Sequence, residues 1–166
     1  MEVKMKLLVG SIIIMFFVTL LGCDTEKKNP IEGTWELVST KHTIGDSTLF
    51  EGSQKDIRMI KIITKTHFAF LNQNVDRPKF TQMGNDAETL LAARTFGAGG
   101  GTYKLDGDTY TENIQFMLTP NFVGLSIPFK VKIENNQLIQ TGVLPIKSSG
   151  LGDQDVELYE VYKRIE

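Results

Sequence analysis

The chain of 166 residues has one cysteine, Cys23, and two histidines, His42 and His67. A single thiol closes no internal disulfide, so the fold has to rest on burial alone. Zinc takes three or four ligands, which two distant histidines without a spare thiol do not supply, and no metal site is expected. Excess basic charge is also missing. The formal net charge is -2, and past residue 22 there are 16 basic against 19 acidic side chains, so nucleic acid is not an expected partner. The motifs of common chemistries are incomplete. "GLSIP", from Gly124, lacks the last glycine of a nucleophile elbow. "GAGGG", from Gly97, lacks the Gly-Lys-Ser/Thr ending of a phosphate loop, and Asp106, Asp108 and Glu112 lack the order and spacing of a calcium loop. No cofactor and no catalytic residue are expected, and helical periodicity is almost absent after Gly33.

What is present begins at the N-terminus. Lys4 and Lys6 precede the apolar run "LLVGSIIIMFFVTLLG", which ends at Gly22 directly before Cys23. A helix crossing the hydrocarbon core needs about 20 apolar residues, and this run is shorter and followed at once by Asp24, Glu26 and Lys27, the layout of a signal peptide. The four residues "LLGC", Leu20 to Cys23, resemble a bacterial lipobox. That resemblance implies cleavage after Gly22 and lipidation of Cys23, with residues 1–22 as signal peptide and 23–30 as a solvated tether. An uncleaved anchor helix and an incidental cysteine are the competing readings. Each buried methylene contributes about 0.8 kcal/mol, so a multiply acylated cysteine holds a protein to a bilayer unaided. The expected location is the cell envelope, outside the cytoplasm, with the membrane as partner through Cys23.

With 41% hydrophobic and 23% charged residues, the remainder has the composition of one globular domain, residues 31–166. Its pattern has period two with turn punctuation, which predicts antiparallel strands. "GTWELVST" is the first; "DIRMIKIIT" and "HFAFLN" form a pair around Lys65 and Thr66. "GTYKLDGDTYTENIQFML" and "FKVKIENNQLIQTGV" read as hairpins turned at Asp106-Gly107 and Asn135-Asn136, and "VELYEVYKRI" is the last strand. The segment "NDAETLLAARTF" predicts one short helix capped by Asn85, either a lid or a connector packing its leucines on the outside. Eight antiparallel strands avoid exposed edges by closing into an all-β barrel, a two-sheet sandwich being the alternative.

"GTW", Gly33 to Trp35, resembles the opening of a lipocalin-type domain. "KIITKTHFAF", "AGGGTYKLDGDTYTE" and "ELYEVYKR" resemble a bacterial lipocalin-like domain of secreted lipoproteins. The resemblance implies an eight-stranded up-and-down barrel with the Trp35 indole plugging its closed end, Gly33 giving the chain room to turn beneath it, and a basic residue near the C-terminus, Lys163 or Arg164, packed on the indole. A barrel of that size has an interior wide enough for side chains or one small ligand.

If alternation holds through the central hairpin, Tyr103, Leu105, Tyr110, Glu112, Ile114 and Phe116 share the inward face. A buried Glu112 then needs a partner. Arg58, in phase with Ile60 and Ile62, is the expected one, with His67 near the same mouth; the competing readings are an internal pair that only sets register and an outward register that leaves Glu112 solvated. The expected ligand site is therefore Arg58 and Glu112 as polar groups, with Phe68, Phe70, Tyr103, Tyr110 and Phe116, and Trp35 beneath them, as apolar lining. The expected function is binding of a small hydrophobic or amphipathic molecule without catalysis, and a cavity of about 300 Å³ or more would favour it. The alternatives are an envelope interaction module with a filled barrel and, third, a hydrolase or isomerase on the same scaffold.

Overall fold

The computed structural model describes residues 29–82 and 84–166; the expected signal peptide, Cys23 and the expected tether as far as residue 28 lie outside the described residues. Nine strands, β1(Gly33–Ile44), β2(Ser47–Ser53), β3(Ile57–Ile63), β4(His67–Asn74), β5(Phe96–Asp106), β6(Thr109–Met117), β7(Ser126–Glu134), β8(Gln137–Leu144) and β9(Val156–Arg164), form one antiparallel sheet that closes through β1 and β9. The barrel nevertheless has eight staves. β2 pairs with the second half of β1, from Ser39 to Ile44, and β3 with its first half, from Gly33 to Glu36, so the two occupy one position in tandem. Every strand pairing lies within residues 33–164. β2 is not among the strands expected above, because its "STLFEGS" is mostly exposed and carries no clear apolar alternation.

Turn chemistry sets the hairpins. Asn135 and Asn136 both take positive φ, 49° and 62°, the pair of left-handed residues that a two-residue turn compatible with strand twist requires. Between β5 and β6 the two-residue loop is Gly107-Asp108, one residue later than expected, with φ of 61° at the glycine. Helix α1(Asp86–Arg94) starts at the expected cap: Asn85 Oδ1 accepts from the amides of Ala87 and Glu88, at 3.0 and 3.2 Å. None of its residues is buried, and Leu90 and Leu91 are exposed, so the leucines do not pack on the barrel wall. "LTPNFVGLSIP" contains a 3-10 turn, Pro120–Phe122, and then enters β7, where Pro128 stands opposite Thr111. Pairing of β7 with β8 begins only at Phe129, so Pro128 occupies a stretch with one neighbour, where a missing amide proton is tolerated.

One end of the barrel is sealed. Trp35 is fully buried and its Nε1 donates to the Ile31 carbonyl at 2.8 Å. The Arg164 guanidinium lies 4.1 Å from the centre of the indole, and donates to the carbonyls of Glu32 and, at 2.7 Å, Pro30. Lys163 points outward to Glu36, so Arg164 is the basic residue on the indole. Gly33 has φ of 144°, and a Cβ there would run into the Arg164 guanidinium and the Glu166 carbonyl. The chain turns under the plug because glycine alone fits there.

Candidate ligand site

The interior holds a polar cluster inside an aromatic collar. On β3 the alternating inward residues are Met59, Lys61 and Ile63. Lys61, 2% exposed, donates to Glu112 Oε1 at 3.0 Å and to Gln140 Oε1 at 2.8 Å. Its Nζ stands 5.4, 5.7 and 6.0 Å from the ring centres of Tyr162, Tyr110 and Phe129. An ammonium taken out of water loses several kcal/mol of hydration, and two strong acceptors with three ring faces offset that loss. On β9 the Tyr162 hydroxyl donates to Glu160 Oε2 at 2.6 Å. Glu160 lies opposite Thr40 on β1 and Gln140 on β8, so Thr40, Glu160 and Gln140 form one inward row.

This row opens on a cavity of about 170 Å³ at the end of the barrel away from Trp35. Its floor is Lys61, Glu112, Gln140 and Glu160, its walls include Phe70, Ile114, Ile127 and Phe129, and towards the mouth stand His42, Asn72, Phe122 and Leu144. That volume falls short of the about 300 Å³ set above as favouring a ligand carrier, and leaves room only for a small guest.

Burial governs the protonation of these groups. It pushes the Glu112 carboxyl up, against the opposing pull of Lys61, and Glu160 adds to the rise. Burial likewise raises the Tyr162 phenol, helped by the Glu160 charge, and the Tyr110 phenol, helped by Glu112. His42 is lowered by burial and so favours the neutral ring. The Tyr110 hydroxyl is buried with no hydrogen-bond partner among the described residues.

Several residues picked from the sequence stand elsewhere. Arg58 is exposed on the outer face of β3, and the partner of Glu112 is Lys61. Ile60 and Ile62, which set the expected phase, both point outward, so apolar character on the wrong face reversed the strand. Tyr103, Tyr110, Glu112 and Ile114 keep the expected alternation, with Tyr110 and Glu112 buried. Phe116 does not. The register shifts between Gly100 and Gly101, so that Ile114 faces Gly101 and Phe116 faces Gly100, and Phe116 emerges 72% exposed on the outer surface while Met117 turns in to the cavity. A Cβ at Gly101 would collide with the Asn113 carbonyl, which is why the crowded bulge falls in the glycine run. Phe68 is buried against Tyr110, with ring centres 6.3 Å apart, and of the expected aromatic lining Phe70 alone reaches the cavity.

Tyr103 sits at the sealed end, where its hydroxyl donates to the Thr64 carbonyl at 2.8 Å and accepts from Asn29 Nδ2 at 2.9 Å. His67 is exposed and hydrogen-bonded to Thr66, near that same end. The histidine at the cavity is His42. It came into phase through an irregularity between Leu37 and Ser39 that moves the inward residues from Trp35 and Leu37 to Thr40 and His42. Lys61, Gln140 and Glu160 carry no signal in the sequence, because each is a polar residue in a strand whose other face also carries apolar groups.

Outside the barrel, β4, β5 and β6 present an apolar groove of about 740 Å³ over the glycine run, lined by Ala69, Leu71, Phe116, Leu118 and Val123 and by no Asp, Glu, Lys or Arg. Among the described residues no group of three or more His, Cys, Asp or Glu is placed to hold a metal ion, and no helix is long and apolar enough to cross a membrane. The chain matches no protein-family model, no curated protein and no solved structure.

Proposed function

We propose that this is a lipid-anchored, extracytoplasmic protein of lipocalin-like type that binds a small amphipathic molecule inside its barrel and does not transform it. The observation that carries the reading is the cavity with apolar walls and a floor of converging, buried polar groups, the usual composition of a small-molecule site. Its volume sets the size of the guest at a polar head and a short apolar body. Lys61 is held on both sides by Glu112 and Gln140, which suits a fixed recognition surface and not a proton shuttle. Anchoring rests on the lipobox-like "LLGC". The test compares protein purified from its own host with the same sample refolded after organic extraction. Bound protein melts at a higher temperature; identical melting before and after extraction contradicts the reading. For the anchor, Cys23→Ser is expected to move the protein from the membrane to the soluble fraction.

A second reading, an envelope interaction module, is favoured by the outer groove. Its occupant would be the bilayer itself. Ile62, Ala69, Gly100 and Phe116 form one row across four strands, and Asn29 is hydrogen-bonded to Tyr103, two residues past Gly101 at the end of the groove. Five residues lie between Cys23 and Asn29, and the six steps reach at most about 22 Å, which keeps that face near an anchored lipid. Flotation of residues 29–166 with phosphatidylcholine vesicles, abolished by Phe116→Ser, is the expected result; absence of flotation by the unsubstituted chain contradicts it.

A further inference from the structure

Within the site proposed above, one carboxylate is left half used. Glu160 is 7% exposed and lines the cavity. Its Oε2 accepts a hydrogen bond from the Tyr162 hydroxyl, and its other oxygen has no hydrogen-bond donor among the described residues. The neighbours that might have served are engaged: Lys61 with Glu112 and Gln140, and Thr40 with His42 Nε2 at 3.2 Å. That oxygen opens on the cavity without a protein donor, so a guest that brings a donor can take it directly.

The charges around it point the same way. Two carboxylates, Glu112 and Glu160, face one ammonium, Lys61, and that ammonium already contacts Glu112. An entering anion would add a third negative charge to this enclosed space. A neutral apolar guest would fill the walls and leave the Glu160 oxygen dry. A bare metal ion would find only two carboxylates, short of the ligand number such ions need. An ammonium supplies both the missing proton donor and the missing positive charge, and Phe70 and Phe129 give its alkyl part an apolar wall.

We infer that the interior site is selective for small organic amines, bound as ammonium ions with the nitrogen on Glu160 and a short apolar chain directed toward the aromatic wall. This rests on the cavity being a ligand site, and the experiment separates the two ideas. Residues 29–166, which hold every strand and core contact described, are titrated by calorimetry at pH 7.5 with three probes of equal length: hexylamine, 1-hexanol and sodium hexanoate. The expected order is hexylamine tightest and hexanoate weakest. Glu160→Gln is expected to weaken hexylamine by about tenfold or more and leave 1-hexanol unchanged; its side-chain carbonyl still accepts from Tyr162, which preserves the fold. Tyr162→Phe frees the second Glu160 oxygen and is expected to bind hexylamine at least as tightly as the parent. Hexanoate binding as tightly as hexylamine, undiminished amine binding by Glu160→Gln, or loss of it in Tyr162→Phe overturns the inference, while 1-hexanol binding would still uphold the cavity as a site. If none of the three probes binds, the ligand-site reading fails and the inference with it.

Discussion

The ammonium of Lys61 stands 3.0 Å from a carboxylate oxygen of Glu112, with both side chains buried in the middle of an eight-stave barrel. Residues 51 positions apart in sequence are brought together because β3 and β6 each point alternate side chains inward. The pair is the floor on which the cavity rests.

Breaking such a pair on one side should be worse than removing it. Lys61→Met leaves Glu112 buried without its partner, and a loss of about 3 kcal/mol or more is expected in urea unfolding at pH 7. Lys61→Met combined with Glu112→Leu replaces the pair by apolar volume and should regain most of that loss. Additive losses in the double variant would mean that the two groups act independently.

Burial pulls His42 and Glu112 in opposite directions with pH. His42 is lowered from its ordinary value of 6.5 in the folded barrel, so its contribution to stability is complete above 6.5 and is lost as pH falls through the lowered value. Glu112 is raised above the ordinary carboxylate value of 4.5, so its contribution is complete below 4.5 and is lost as pH rises through the raised value. Melting temperatures of the parent and His42→Gln, measured from pH 7.5 downward, should diverge below pH 6.5, the parent falling more steeply. Parallel curves would show that the ring does not titrate differently in the two states.

The sealed end makes a separate prediction. Arg164→Met removes the cation over the indole and two hydrogen bonds to carbonyls, and a loss of about 1–3 kcal/mol is expected. Gly33→Ala forces a side chain onto positive φ and into Arg164 and the Glu166 carbonyl, with a cost of about 2 kcal/mol or more. Both should lower the urea midpoint while leaving hexylamine titration of the folded protein unchanged, since neither residue touches the cavity. A Gly33→Ala protein as stable as the parent would contradict the account of the turn.

The architecture was legible where local chemistry and pattern agree. The paired asparagines at 135 and 136, the Asn85 cap and the alternation of Tyr110, Glu112 and Ile114 all mark their elements in sequence, and the structure carries them. Legibility stopped at two kinds of place. One is a strand apolar on both faces, where Ile60 and Ile62 outside disguise Met59, Lys61 and Ile63 inside, so the pattern points to Arg58 in place of Lys61. The other is a bulge, which shifts the phase by one residue without a mark of its own; this moved Phe116 out at Gly100–Gly101 and brought His42 in after Leu37. The candidate site sits downstream of both, so its polar floor was visible only through Glu112.

The account turns on whether the interior cavity is occupied in the living cell. Native mass spectrometry of protein isolated gently from its own membranes, alongside an Ile127→Trp variant that fills the cavity from β7, measures this directly. The account predicts a noncovalent adduct of small mass on the parent, lost on mild activation and absent from Ile127→Trp. A parent that carries no noncovalent adduct beyond its covalent lipid, or an adduct equally abundant on the filled variant, would contradict it.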